Sequence, residues 1–527
     1  MQKETLDLRL GDLLKRHFGY SSFRPGQWEI IERILRGENV LGLMATGGGK
    51  SVTYQLPALY LPGTAVVVSP LISLMTDQVQ QLRGKRKIPA AYINSTMEPA
   101  ETRERLFEIS RGAYKLIYVS PEKLQNSAVQ KALVRAGVSM LAIDEAHCIS
   151  QWGHDFRTDY LRLPQVVQSL GSPPVLAVTA TATPGVKAEI CDLFDIKQEN
   201  VITQPLNREN IAIDVILAES EADRRQMVKK SIDELQGPGI VYCSTRQTVE
   251  LLVAEYQLSG KKSVHGYHGG MSSMERMVVQ TQFLRGELDA IIATNAFGMG
   301  IDKSDIRFVL HYHFPPSLEA YAQEIGRVGR DGKAGYAGLY YVPEDRLIHT
   351  HLQEKEYPTT EQALRFLQGL SQAGTKPISE LAMHDIPEEM AALLFFYAEL
   401  AGIVSDVAAG REEYRYELSD ASQMGNLAEK ASQMIEAMEK PKWLKRQKLL
   451  EMLRWLEGNE CYRMRLNRYF GELDHTSSAA CCSHCGLDRS AYLDKSGSRT
   501  ERTGKNAWNL RKALEKLLPN KKGGSIF

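Results

Sequence analysis

The chain carries no excess charge: its 527 residues hold 64 lysines and arginines against 64 aspartates and glutamates. A uniformly basic surface is excluded, so any grip on a polyanion must come from charge spread unevenly over the fold. Long hydrophobic runs are absent too. No stretch approaches the ~20 apolar residues a membrane helix needs, and Met1-Gln2-Lys3-Glu4-Thr5 opens no secretory signal. The expectation is a cytoplasmic protein with no membrane partner. Cysteine is scarce, at seven residues, and Cys148, Cys191 and Cys243 are scattered like ordinary reduced thiols. No collagen-like, glutamine-rich or solenoid repeat is visible. What remains is 43% hydrophobic and 24% charged, enough to bury several cores, and at this length three or four domains are expected.

Against that background Thr46-Gly47-Gly48-Gly49-Lys50-Ser51 stands out. It follows the apolar run Val40-Leu41-Gly42-Leu43-Met44 and precedes a helix-like stretch at 52–59. Strand, glycine loop and helix in that order make a phosphate cradle. The glycines turn backbone N–H groups toward phosphate oxygens, Lys50 reaches the β and γ phosphates, and the Ser51 hydroxyl ligates Mg²⁺. Met44 stands where the strict pattern has glycine. Downstream, Met140-Leu141-Ala142-Ile143 reads as a buried strand with Asp144-Glu145-Ala146-His147 at its C-terminal end. That edge is where open parallel α/β sheets gather ligands. Asp144 is expected to hold Mg²⁺ through water, and Glu145 to orient and deprotonate an attacking water.

These two motifs and the sequence between them resemble the superfamily 2 helicases, and more narrowly the RecQ DNA helicases, over residues 18–331. Phe18-Gly19-Tyr20 with Phe23-Arg24-Pro25-Gly26-Gln27 is similar to that family's adenine-reading motif. The resemblance implies Gln27 on the adenine edge, Tyr20 stacked on the base and Arg24 near the phosphates. Ser69-Pro70-Leu71, Asp77-Gln78 and Ser120-Pro121-Glu122 resemble strand-gripping motifs, and Thr179-Ala180-Thr181-Ala182 the motif that links hydrolysis to domain movement. Cys148-Ile149-Ser150-Gln151-Trp152-Gly153-His154-Asp155-Phe156-Arg157 resembles the aromatic-rich loop that couples single-stranded DNA to ATP hydrolysis. Trp152 and Phe156 offer flat faces to bases at roughly 1–3 kcal/mol each, and Arg157 adds charge.

A second set of strands follows: Gly239-Ile240-Val241-Tyr242-Cys243, a short one before Tyr267-His268-Gly269-Gly270, and Ala290-Ile291-Ile292-Ala293-Thr294. Arg246, on the loop after the first, is expected to contact DNA. Arg327 and Arg330, three apart, are expected on one side of a helix facing the first domain. The resemblance makes Arg330 the finger that stabilises the transferring phosphoryl group, with Arg327 in support. Val328 stands where the family more often has alanine.

Cys461, Cys481, Cys482 and Cys485 cluster in a chain expected in a reducing compartment, where such a group reads as metal before disulfide. Four thiolates suit tetrahedral Zn²⁺. Cys461-Tyr462-Arg463 and Leu466-Asn467-Arg468-Tyr469-Phe470-Gly471-Glu472 also resemble the RecQ zinc-binding segment. Many family members place a third cysteine where Asp488 stands, so the fourth ligand is Cys481 or Asp488. Ahead of this segment, residues 360–372, 376–381, 387–401, 403–405 and 414–418 read as helix, strand, helix and hairpin, the order of a winged helix. From 359 to 420 there are four basic against eleven acidic side chains, unsuited to phosphates. Any DNA contact there is expected from the wing, at Arg411, Tyr414 and Arg415 beyond a hairpin tip at Gly410.

The expected architecture is α/β: two tandem RecA-like parallel-sheet motor domains at 1–207 and 208–345. A winged-helix-like module at 355–422, a helical zinc-binding segment at 425–490 and a basic tail at 491–527 follow. The resemblance implies an ATP-dependent DNA helicase with ATP, Mg²⁺ and Zn²⁺ as cofactors, moving 3′ to 5′ on single-stranded DNA. Single-stranded and branched DNA, with single-strand-binding or repair proteins, are the implied partners, in recombination and repair near the nucleoid. An RNA-directed helicase and a non-enzymatic scaffold are the rival readings. The loop at 148–157 argues against the first; Lys50, Glu145 and Arg330 argue against the second.

Overall fold

The computed structural model describes residues 2–45, 47–150, 158–298, 303–370, 374–383, 386–409, 413–418, 426–472 and 481–494. Thr46, Trp152, Phe156, Arg157, Gly410, Arg411 and the basic tail from 495 lie outside the described residues.

The first sheet is built from strands that are nearly all apolar, as expected where helices cover both faces of a parallel sheet. β1 (Val40–Leu43), β2 (Thr64–Val68), β3 (Ala90–Ile93), β4 (Leu116–Val119), β5 (Val138–Ile143), β6 (Val175–Thr179) and β7 (Val201–Thr203) run parallel in the order β3-β4-β2-β5-β6-β1-β7. Leu43 lies opposite Thr179, and Ile143 opposite Ala177. The ends of β1 and β6 are therefore level and β5 ends two residues short of them, so the three motif-bearing loops leave the same edge of the sheet side by side.

The second sheet repeats the plan. β8 (Ile211–Leu217), β9 (Gly239–Tyr242), β10 (Val264–Tyr267), β11 (Ala290–Ala293), β12 (Phe308–His311) and β13 (Gly335–Tyr341) run parallel in the order β10-β11-β9-β12-β13-β8.

A third, antiparallel sheet joins β14 (Thr375–Pro377), β15 (Val404–Ala409) and β16 (Glu413–Leu418) in the order β14-β16-β15. With helices Thr360–Gln368, Ile378–Met383 and Glu388–Leu400 it has winged-helix order. The stretch 376–381, expected as strand, splits: β14 ends at Pro377, which has no N–H for a ladder, and a helix begins at Ile378. Tyr414 is 5% exposed and stacks on Phe395 with ring centroids 4.5 Å apart. The expectation that it meets DNA is corrected, because the ring belongs to the module's core. Lys376 is buried and donates to Gly369 O at 2.7 Å, while Arg415 pairs with Glu413 at 3.1 Å.

Helix Leu427–Glu457 ties the parts together. Ala431, Met434 and Met438 pack in the winged-helix core, whereas Leu449, Met452, Trp455 and Leu456 pack in the core under the second sheet. Cys461, Leu466, Phe470, Cys481 and Cys482 share that second core. Ile213 N donates to Cys481 O at 3.3 Å and Ile213 pairs with Cys482 in parallel, so the cysteine segment covers the open edge at β8. Among the described residues no helix is long and apolar enough to cross a membrane.

Candidate active site

The glycine loop is shaped by two left-handed glycines, Gly47 (φ 84°) and Gly49 (φ 85°), the second capping helix Lys50–Tyr60. A side chain at either would be strained by that backbone, and a Cβ on Gly49 would also stand 2.4 Å from Gln27 Nε2, one on Gly47 3.0 Å from Arg330 Cγ. Gln27 is 3% exposed; its Nε2 donates to Gly49 O at 3.0 Å and its Oε1 accepts from Arg24 N at 2.9 Å. Arg24 Nη1 donates to Gly47 O at 2.5 Å. The motif expected to read adenine is thus laced to the carbonyls of the phosphate loop. Exposed Tyr20 lines the same cleft.

Across the loop, Lys50 Nζ lies 3.4 Å from Glu145 Oε1. Glu145 has φ 49°, a left-handed backbone that a non-glycine residue adopts at a cost. Its other oxygen stands 3.4 Å from His147 Nδ1, which is 2.8 Å from Thr179 Oγ1. The acidic box is therefore linked directly to the motif at 179–182. Asp144 is buried, and burial, helped by the charge of Glu145 and opposed by Lys50, lifts its carboxyl pKa to about 6. A dication bound there would relieve that cost, and the Ser51 and Asp144 oxygens are hard donors suited to Mg²⁺. Buried Tyr54 reaches both Ser51 and Asp144, and its hydroxyl is held protonated by burial first and by neighbouring Tyr118 and Asp144.

The cleft, of about 470 Å³, is completed from the second domain by Ser304, Gln323, Arg327 and Arg330. That volume suits a nucleotide-sized ligand. The expected helical placement of the two arginines is corrected. The helix Leu318–Ile325 stops at Gly326, and 326–330 are turns with Gly329 at φ 56°. Both side chains nevertheless reach the cleft. Arg327, 4% exposed, donates to Gly298 O, and the Arg330 stem lies on Gly47. Val328 is accommodated by Gly335, where a Cβ would stand 2.0 Å from Val328 Cγ1. Arg246 is elsewhere: it is exposed, opens helix Arg246–Ser259, and lies beside Gly270.

Several contributors escaped sequence reading. Arg208 Nη2 donates to Gly329 O at 2.6 Å and Val328 O at 3.1 Å, and Asn210 Nδ2 to Gly329 O at 2.9 Å, so both hold the arginine-bearing turn. Their one signal was a polar run, Asn207-Arg208-Glu209-Asn210, directly before β8. Gln78, expected to grip a strand, lines the nucleotide cleft.

The four clustered cysteines bring their Sγ atoms within 4.8 Å of one another. Cys461–Cys481 and Cys482–Cys485 are 3.6 Å apart and Cys461–Cys482 3.8 Å. Tetrahedral zinc with bonds of ~2.3 Å requires sulfurs roughly 3.8 Å apart, so the donors fit the ion. Asp488 instead caps a local turn, where its carboxylate accepts from Ser490 N at 2.9 Å and Ser490 Oγ at 2.8 Å. Cys481 therefore completes the cluster.

Family profiles match along the chain: DEAD/DEAH box helicase at 24–189, helicase conserved C-terminal domain at 223–332 and RecQ zinc-binding at 418–488. The chain is 38% identical over 507 residues to a probable ATP-dependent DNA helicase RecS of Bacillus subtilis, covering 95% of this chain and 96% of that one. It is 44% identical over 353 residues to the ATP-dependent DNA helicase RecQ of the same organism, covering 66% of this chain and 58% of that protein. Among solved structures, the DUF1998 helicase MrfA bound to DNA and AMPPNP aligns with a TM-score of 0.54 at 19% identity, over 79% of this chain and 62% of that one. S. cerevisiae Dbp5 bound to RNA and ADP BeF3 aligns at 0.52 and 19%, over 66% and 92%. At such identities these two likenesses establish the fold alone.

Proposed function

Because the chain belongs to the RecQ family of ATP-dependent DNA helicases, we propose that it moves 3′ to 5′ along single-stranded DNA and parts branched duplexes in recombination and repair. One observation carries the reading. Arg330 of the second sheet's domain rests on Gly47 of the phosphate loop, opposite the Lys50–Glu145 pair, so one cleft collects hydrolytic groups from both halves.

In this reading Lys50 meets the β and γ phosphates, and Thr46, Gly47, Gly48 and Gly49 wrap them. Ser51 and Asp144 hold Mg²⁺, which when bound neutralises phosphate charge. Glu145 orients the attacking water and takes its proton at the carboxylate. Arg330, steadied by Arg327, stabilises charge on the transferring phosphoryl group. Gln27, Tyr20 and Arg24 serve the base side. Closing and opening of the cleft passes to DNA through Trp152, Phe156 and Arg157 and through Arg246 on the second domain. Between 359 and 420 the described cations are each paired with a nearby acid: Arg365 with Glu361, Lys376 with Glu380, Arg415 with Glu413. A basic single-strand-binding or repair protein suits that surface better than phosphate does.

The test is strand separation on forked, 3′-tailed, 5′-tailed and four-way DNA with and without ATP, beside ATPase stimulation by DNA and RNA. ATP-dependent opening of the 3′-tailed and branched substrates, with stimulation by DNA above RNA, is expected. Opening of 5′-tailed substrates alone, or equal stimulation by RNA, would overturn it.

A further inference from the structure

The linker between the two motor sheets is gripped along its length. At its start Gln204 N donates to Leu43 O at 2.7 Å, and the Gln204 side chain lies against Gly48 and donates to Pro25 O. At its end Arg208 and Asn210 hold the turn that carries Arg327 and Arg330. Between them enters helix Tyr462–Tyr469 of the cysteine segment. Arg463, 5% exposed, donates through Nη1 to Asn207 Oδ1 and to Arg208 O, both at 2.9 Å, and through Nη2 to Ile211 O. Glu472, three residues past that helix, accepts from Leu206 N.

A guanidinium is an expensive way to fill a hinge, because its desolvation is offset only by well-aimed hydrogen bonds. Here those bonds go to carbonyl and amide oxygens of 207, 208 and 211. A planar fork fixes such acceptors relative to one another, as an apolar side chain or a lysine cannot. A void of about 50 Å³, lined among others by Thr181, Arg208, Gly326 and Arg463, leaves the linker room to shift when that restraint is lost.

We propose that Arg463 is a positioning residue for ATP hydrolysis: it holds the linker so that Arg208 fixes the turn at 326–330 and presents Arg330 to the glycine loop. The cysteine segment then governs turnover through a chain of hydrogen bonds rather than through DNA. This rests on Arg330 acting as the phosphoryl-stabilising finger.

The experiment is a double-mutant cycle read by affinity for ADP with aluminium fluoride, a transition-state mimic, against affinity for ADP. Arg330→Ala and Arg463→Ala are each expected to weaken the mimic by about tenfold or more while ADP binding changes little. The double variant is expected to be no weaker than Arg330→Ala alone. Arg463→Lys is expected to leave the loss in place. Zinc content and thermal unfolding report folding. Should Arg463→Ala fail to fold, Asn207→Ala, which removes one acceptor, runs the same cycle with a smaller loss. Losses that multiply in the double variant, or a mimic affinity untouched by Arg463→Ala and Asn207→Ala, would overturn the inference. If Arg330→Ala itself leaves the mimic bound as before, the assignment of Arg330 fails instead.

Discussion

Trp455→Ala tests whether the cysteine segment and the second motor domain form one folding unit. The ring is 2% exposed, sits 4.8 Å from Tyr321 and 5.0 Å from Tyr462, and donates from Nε1 to Tyr462 O at 3.0 Å. Tyr321 belongs to the helix beneath the second sheet, and Tyr462 follows Cys461. Truncating a buried aromatic costs about 3–5 kcal/mol through lost transfer energy and the cavity left behind. Two ring contacts at ~0.5–1.5 kcal/mol each overlap with that figure. The orphaned Tyr462 carbonyl adds about 1–3 kcal/mol. A loss of roughly 4–8 kcal/mol is expected, a large share of a domain stability of about 5–15 kcal/mol. Urea unfolding followed by circular dichroism, with zinc release read by a metallochromic dye on the same samples, measures it. Both transitions should move together to lower urea. A loss below about 1 kcal/mol, or zinc release shifted while the second domain unfolds where it did before, would refute the shared core.

Lys50→Ala should abolish DNA-stimulated turnover, since Lys50 is the cation beside Glu145 in the cleft; hydrolysis within about threefold of the parent would contradict its phosphate role. Cys482→Ser should drop zinc from about one per chain toward none and raise hydrogen exchange along β8, whose edge Cys482 covers; unchanged exchange would refute the coupling. Asp144 gives a pH signature. Its folded pKa is raised from 3.8 to about 6, so its contribution to stability is complete below pH 4, is lost as pH rises through 6, and leaves an ionised group costing about 3 kcal/mol above that. Asp144→Asn should therefore stabilise the metal-free protein near pH 8 and change little at pH 4; equal stability at pH 8 would be the contrary result. Tyr414→Ala should destabilise the winged-helix module by about 3–5 kcal/mol, because the ring stacks on Phe395; lost unwinding with unchanged stability would restore the expected DNA contact of Tyr414.

The parts of the site written in contiguous residues were legible. The glycine loop needs Gly47 and Gly49 in place, the carboxylates need an apolar strand ahead of them, and four cysteines in one short region leave few alternatives. The choice between Cys481 and Asp488 was not legible, because it depends on a local cap that turns the carboxylate toward Ser490. Arg327 and Arg330 were rightly paired in the cleft yet wrongly given a helix, since Gly326 and Gly329 end it. Tyr414 reads equally well as a wing aromatic or as core, and burial alone decides. The linker clamp of Arg208, Asn210 and Arg463 joins residues some 250 positions apart, 255 between Arg463 and Arg208. No spacing rule reaches that far.

The most direct measurement of the central claim, that groups from both domains hydrolyse ATP in this cleft to drive strand separation, is made on Glu145→Gln. ATP binding and turnover should be measured at saturating single-stranded DNA, with unwinding of a 3′-tailed duplex followed on the same protein. Removing the carboxylate 3.4 Å from Lys50 should leave ATP bound, lower turnover by about 100-fold or more and abolish unwinding. Turnover within about threefold of the parent, or unwinding that persists without it, would contradict the claim.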